Sequence, residues 1–395
     1  MNNHSQYIDE LEQIYCSSRS AAVVSSCCVV SSHGLGARMV SRIYNGGRKA
    51  VYTATVGAML INNTLPVYAG TVVVNPGETV TGQTVSGYAN YMVVHGTAIS
   101  TTVEQQGNQI ISNGGVASHT KLFDYGTQHI SSGGVANNTT VFYGSQYIDS
   151  NAMASNTTVN EGGYQRIYSG GVASNTQVNA SGQMEVMYGG KALGIEQNSE
   201  GNIIVDVYGN DNNTYISGTN ENRESMLLTN GVASNFILNS NGLQRVRSGG
   251  AAVDTIINSA GQQHIYAGGT TSRTIINAGG SQVISSGGVA NDTFVSATGS
   301  QIVINGGTAN RTTLLPGGEQ HVSSGGMVND TIISEGGIQF VADGGIVNGI
   351  VVSSSGEQVV SSGGLIIGTT VENNGVLTVL NSGAATQIII NSGGV

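Results

Sequence analysis

The sequence predicts an all-β chain, a right-handed parallel β-helix (β-solenoid) of about 19-residue repeats, on three observations. The first is periodicity. GGAAVDTIINSAGQQHIYA (249–267), GGTTSRTIINAGGSQVISS (268–286) and GGVANDTFVSATGSQIVIN (287–305) are copies of one unit, and from Asn230 the pattern returns every 19 residues to Val395. The second is composition: 59 Gly, no Trp and 5% aromatic residues make a poor single large core, yet 39% hydrophobic content is too much for disorder. The third is local pattern. Within each unit apolar residues recur at spacing two between Gly-rich corners, which suits short strands.

In chain order, residues 1–69 come first as an N-terminal extension with a signal peptide. Arg38, Arg42, Arg48 and Lys49 form a basic n-region, and the 50–61 run AVYTATVGAMLI is apolar but too short to span a bilayer as a stable helix. Val67 and Ala69 are the small residues a signal peptidase needs before Gly70. The competing reading of this segment is an uncleaved N-terminal cap. Residues 1–37 are either a long signal extension or sequence upstream of a start at Met39, and the sequence leaves Met1 and Met39 both open. Cys16, Cys27 and Cys28 all fall in this segment, so a disulfide framework or Cys-ligated metal is not expected in 70–395.

Residues 70–395 are expected to be the solenoid. They hold eight Lys/Arg against twenty Asp/Glu, a balance of −12 within the chain's net −10. A dilute acidic surface excludes nucleic acid as a partner, because phosphate binding needs clustered cations.

Thirteen complete copies start at residues 95, 114, 133, 151, 170, 230, 249, 268, 287, 306, 325, 344 and 363, with a decayed copy at Gly189 and a partial one at Ser382. The ninth position is aliphatic in all thirteen, from Val103 and Leu122 to Val352 and Val371. Two residues earlier stands Thr in eleven of them. Thr-x-Val reads as one short inward-facing strand, and the following Gln-x-Val/Ile (Gln109/Ile111, Gln263/Ile265, Gln320/Val322) as a second. Such a unit buries a face only by stacking on its neighbours. Identical Gln residues at strand spacing are expected to form an amide ladder rather than a ligand site. The outward residues beside them (His129, Arg166, Arg245, Arg247, His264, Tyr266, His321) vary between copies and read as solvated face.

Between about 189 and 229 the sequence pattern fails, and an insertion thrown from a corner is expected there. Its Asp206, Asp211, Glu221 and Glu224 lack the spacing of an EF-hand loop. No Gly-x-Ser-x-Gly, HExxH, phosphate-binding loop or zinc spacing occurs. No catalytic, cofactor-binding or metal-binding residue is therefore expected. The enzyme alternative, a β-helix polysaccharide-active enzyme, needs paired carboxylates in a groove. Glu319 and Glu357 share a repeat position but lie two coils apart.

SSGGVANNTTV (Ser131–Val141), SNTTVNEGGYQRIYSGGVASNTQVN (Ser155–Asn179) and SSGGVANDTFV (Ser285–Val295) resemble the repeats of AIDA-type autotransporter adhesins, over about Pro76–Val395. The resemblance implies a β-helical passenger displayed at the cell surface or outer membrane. Its implied roles are self-association with identical rods, biofilm formation and adhesion to host or bacterial cells. It also implies O-linked heptose on repeat serines, added by an O-heptosyltransferase. The candidate acceptors, each just before Gly-Gly, are Ser132, Ser169, Ser248, Ser286, Ser324 and Ser362. Family members continue into an outer-membrane barrel, whereas this sequence stops at NSGGV inside a repeat. The expectation is a truncated adhesin passenger, periplasmic or secreted in that form, with a non-functional remnant as the alternative.

Overall fold

The computed structural model describes residues 70–395 apart from 199, 207–214, 221–224 and 354, plus the two-residue strands Val51–Tyr52, Ile61–Asn62 and Pro66–Val67. The expected signal peptide, the three cysteines, Asp211, Glu221, Glu224 and the side chain of Asp206 lie outside the described residues. Among the described residues every regular element is a strand and every pairing is parallel.

One coil shows how the unit folds. Asn108–Ile111 (NQII) alternates half-buried and buried side chains, sending Gln109 and Ile111 inward. A Gly-Gly corner follows, then Val116–Ser118 with only Ala117 inward, a kink at His119, and Lys121–Leu122 with Leu122 inward. Each regular coil thus carries three strands, where the sequence reading expected two. The missing one is the Val-Ala-Ser stretch after Gly-Gly, whose single small inward residue is too short a pattern to register as alternation.

Coil stacks on coil. The strands equivalent to Asn108–Ile111 form one sheet of 18 strands, and those equivalent to Val116–Ser118 and Lys121–Leu122 form a second of 34. In the first sheet Gln109 pairs with Gln128 and Ile111 with Ile130; in the second, Ala117 pairs with Ala136 and Leu122 with Val141. Sixteen such steps from Thr71–Val74 to Val376–Val379 give a rod of roughly 75–80 Å at strand spacing. The core is a set of continuous columns. The ninth-position aliphatics are buried from Val103 through Val178 and from Leu238 through Val371. Each is worth about 1.5–3 kcal/mol on burial, most of it shared between adjacent coils.

The second Gly of each corner is there for clearance. A Cβ on Gly288 would meet the Ile265 carbonyl oxygen of the coil beneath at 2.6 Å, closer than any real side chain sits. The kink between the three- and two-residue strands needs positive φ instead. It is held by Asn138 (55°), Asn156 (53°), Asn175 (53°) and Asn235 (54°), then Asp254 (55°), and later by Gly349 (67°) and Gly368 (71°). Asn, Asp and Gly are the residues that tolerate this region.

The expected glutamine ladder runs through the core. Apart from Gln109 and Gln244, which begin the two runs, each amide Nε2 donates to the Oε1 of the coil below at 2.5–2.8 Å, as from Gln128 to Gln109, Gln301 to Gln282 and Gln339 to Gln320. The inward Thr of the same coil donates to the same oxygen, as Thr312 does to Gln301 at 3.0 Å. These side chains are fully buried, so the ladder satisfies polar groups that would otherwise cost about 1–3 kcal/mol each.

The 189–229 stretch holds coils of the same two sheets. Gln183–Met187 pairs with Asn202–Asp206, which pairs with Ser225–Thr229, and Lys191–Gln197 pairs with Tyr215–Asn220. The step from Ile204 to Leu227 takes 23 residues, four more than the repeat.

Candidate adhesion surface

A rod of stacked coils presents its outward residues as columns, one residue per coil at about 4.8 Å spacing. One column on the second sheet departs from solvated-face behaviour. At the positive-φ kink, Asp254, Arg273, Asp292, Arg311 and Asp330 follow one another in five successive coils. Arg273 and Arg311 hold φ of 53°, a conformation that Asn, Asp or Gly adopts at most other levels of this column. An arginine is strained there, so its side chain must compensate.

It does so by forking onto the aspartate one coil below. Arg273 donates from Nε to Asp254 Oδ1 at 2.6 Å and from Nη2 to Oδ2 at 2.9 Å. Arg311 repeats this on Asp292 at 2.7 and 3.0 Å. The hydrogen bonds from Arg273 and Arg311 hold the Asp254 and Asp292 carboxyls below the ordinary carboxylate range, and raise both guanidinium values in turn. Arg273 also feels Asp292 above it, and Arg311 feels Asp330, so the column is one chain of alternating charge.

Two residues further on, an apolar column runs parallel to the charges. Ile256, Ile275, Phe294, Thr313, Ile332 and Val351 pair in succession along the two-residue strands. Ile275, Phe294 and Ile332 are 41%, 42% and 48% exposed, too open for residues of this size to be explained by the core. Between Arg311, Asp330 and Ile332 the two columns border a shallow groove of about 380 Å³. An apolar strip edged by ordered charge has the anatomy of a protein–protein contact.

The six candidate acceptor serines lie together. Ser132, Ser169, Ser248, Ser286, Ser324 and Ser362 are all exposed and share the Gly-Gly corner column. From Ser248 onward they fall on alternate coils, separated by Ala267, Asn305 and Asp343. Glu319 and Glu357 stand in one column of the first sheet with Ile338 between them, and Glu319 Oε2 lies 3.0 Å from His321 Nε2. Among the described residues no group of three His, Cys, Asp or Glu is placed to hold a metal ion.

The alternating column escaped the sequence reading. Its signal was available, since Asp and Arg alternate at the sixth position of copies 249 to 325, but only an alignment of consecutive copies brings it out.

Comparison with known proteins follows the repeats. Residues 142–202, 217–280 and 301–356 match the AIDA family model, described as the adhesin of the bacterial autotransporter system, probable stalk. The chain belongs to the AIDA adhesin family. It is an autotransporter adhesin passenger built as a β-solenoid. Among solved structures, it is similar to the TibC-catalysed hyper-glycosylated TibA fragment, at 32% identity, covering 75% of this chain and 95% of that one, with a TM-score of 0.48. No curated protein matches the chain.

Proposed function

We propose that this AIDA-family passenger is a non-enzymatic module for cell aggregation, biofilm formation and adhesion to host or bacterial surfaces, working by pairing with identical rods. It acts after export, at the cell surface or outer membrane, or in the periplasm or medium when released from its anchor. The observation that carries the reading is the charge column with its apolar companion. The series Asp-Arg-Asp-Arg-Asp reads the same in both directions. Two copies laid antiparallel and level would oppose like charges at all five positions. A slip of one coil, about 4.8 Å, turns four of them into Asp–Arg pairs and brings the Ile275–Phe294–Ile332 strips together. A twofold arrangement of this kind closes on itself, as symmetric homodimers do. Each contact is weak at an exposed edge, and many rods on one cell supply the strength.

Charge swapping tests it. Arg273→Asp with Arg311→Asp makes an all-acidic column; Asp254→Arg, Asp292→Arg and Asp330→Arg make an all-basic one. Cells displaying either variant should lose aggregation, and mixing the two populations should restore it. Wild-type cells that stay dispersed would reject self-association, whereas swapped cells that clump like wild type would reject this surface.

We also propose O-glycosylation by a heptosyltransferase at Ser132, Ser169, Ser248, Ser286, Ser324 and Ser362, supported by their exposure at one corner. Mass spectrometry after co-expression with such an enzyme should find hexa-alanine protein unmodified. Undiminished modification of that variant would overturn the assignment.

A further inference from the structure

One corner of the solenoid has a backbone conformation that most coils give to small or polar residues. Where the second sheet hands over to the first, the residue just before the corner glycine has positive φ in the described coils from Gly107 onward. Gly, Ala, Ser, Thr, Asn, Gln or Glu fills that position in all but two of them. In those two, which are successive, it is Tyr125 (64°) and Tyr143 (47°). A bulky ring is a poor occupant of this region, and strain of that kind collects at ligand clamps. Phe123 and Phe142 open the same two corners, in the column where later coils carry the hydrogen-bonded Asn160, Asn179 and Asn198. The two phenyl rings stack instead, 5.9 Å apart and 12° from parallel. The copy at 133 also drops its one residue here, so that Phe-Asp-Tyr-Gly becomes Phe-Tyr-Gly. Tyr125 is 71% exposed and Tyr143 47%, so the core does not explain them. Tyr143 is nonetheless fixed in place. Its hydroxyl donates to the Glu161 carboxylate one coil on, and a Cβ on Gly162 would run into its ring.

We propose that Phe123, Tyr125, Phe142 and Tyr143, edged by Asp124 and Glu161, form a binding site for a neutral hexose glycan. Aromatic side chains cover the C–H face of a pyranose at little cost in side-chain entropy, and phenol and carboxylate oxygens meet the hydroxyls around its rim. Charge selects against acidic sugars. Residues 121–163 hold three carboxylates and one lysine, so a uronate or sialate meets net repulsion there. Size selects against a protein partner. The aromatic patch is two coils high, roughly 10 Å, far short of the ~800 Å² a side that a stable protein interface buries. It suits one or two sugar rings lying along the rod. The corner is several coils from the charge column. It gives the adhesion reading a ligand and rests on that reading only for its cellular setting, not on self-pairing.

The test is saturation-transfer difference NMR of the full chain with cellohexaose, maltohexaose, mannohexaose and galactohexaose, and with hexagalacturonate as the acidic counterpart. At least one neutral sugar should bind, through its ring C–H protons and without sensitivity to salt. Hexagalacturonate should bind at least several-fold more weakly. Tyr125→Asn with Tyr143→Asn gives the corner a residue that another coil carries there, Asn241, at positive φ. Its denaturation midpoint should therefore not fall, while its sugar affinity drops tenfold or more. Phe294→Thr, in the apolar strip beside the charge column, should leave sugar binding unchanged and reduce aggregation of displaying cells. No binding by any of the four neutral sugars, undiminished binding by the tyrosine variant, or hexagalacturonate bound as tightly as the neutral sugars would each overturn the proposal. A tyrosine variant that loses affinity only together with its fold would do the same. Sugar binding without aggregation would reject self-pairing alone, and the reverse outcome would reject this site alone.

Discussion

The regular coils and the coils of 183–229 bury the same kinds of groups in exchanged places. In the regular coils the amide column is glutamine, Gln109 to Gln165 and again Gln244 to Gln358, while the ninth-position column is aliphatic. Between them the amide column becomes Met184, Ile203 and Met226, and the aliphatic column becomes Gln197 and Asn220. The inward Thr changes too, to Ile195 and Phe236. These displaced amides turn to the backbone: Gln197 donates to the Gly201 carbonyl at 2.9 Å and Asn220 to that of Leu243 at 3.1 Å. The junction leaves Gln197 Oε1, Gln244 Nε2 and Thr255 Oγ1 buried without hydrogen bonds. Polarity in this core is thus a property of neighbouring coils, and its cost is concentrated where two column types meet.

The largest expected effect comes from opening a junction where there is none. Gln301→Leu should destabilise the rod by about 2–4 kcal/mol, because it strips the acceptor from Thr312 and from the Gln320 amide. Chemical denaturation, with amide exchange to localise the loss around residue 301, reads this out. Copying the Met184/Ile195 arrangement sharpens the comparison. Gln301→Met with Thr312→Ile should cost about 1 kcal/mol less than the sum of the single changes, since the two residues form one polar unit. Next in size is Thr293→Val, expected to cost about 1 kcal/mol through its lost hydrogen bond to Gln282. Thr255→Val, which removes an orphaned hydroxyl, should be neutral or stabilising in the same assay, and an equal cost at both sites would break the account. The smallest effect is acid sensitivity at the surface column. The Asp254 and Asp292 values are depressed in the folded protein by Arg273 and Arg311, so their contribution is present above the ordinary carboxylate value and fades as pH falls through the depressed one. Aggregation of displaying cells should fade over the same window, and Asp254→Asn with Asp292→Asn should remove that dependence.

Much of this was legible in residues. Thr312, Gln301 and Leu314 recur at fixed positions, so the solenoid, the inward columns and the amide ladder follow from period and spacing alone. The third strand did not, because Ala117 between two half-buried neighbours carries too little apolar contrast. The 183–229 coils did not either. Repeat alignment rests on Thr, Gln and the aliphatic ninth position, and there Ile195, Met184 and Gln197 exchange all three. Surface columns are harder in kind. Arg273 and Arg247 look alike in a single copy, and only the register shows that one faces Asp254 and the other Tyr266.

The parallel ladders also set how the rod carries load. Strands run across its axis, so tension along that axis pulls neighbouring coils apart instead of shearing strands lengthwise. Hydrogen bonds then fail one ladder at a time, beginning at an outer coil or at the Gln244–Thr255 junction. Each 19-residue coil that lets go turns about 5 Å of rod into about 60 Å of extended chain. A passenger stretched between two cells would yield stepwise, while the coils still stacked kept their shape.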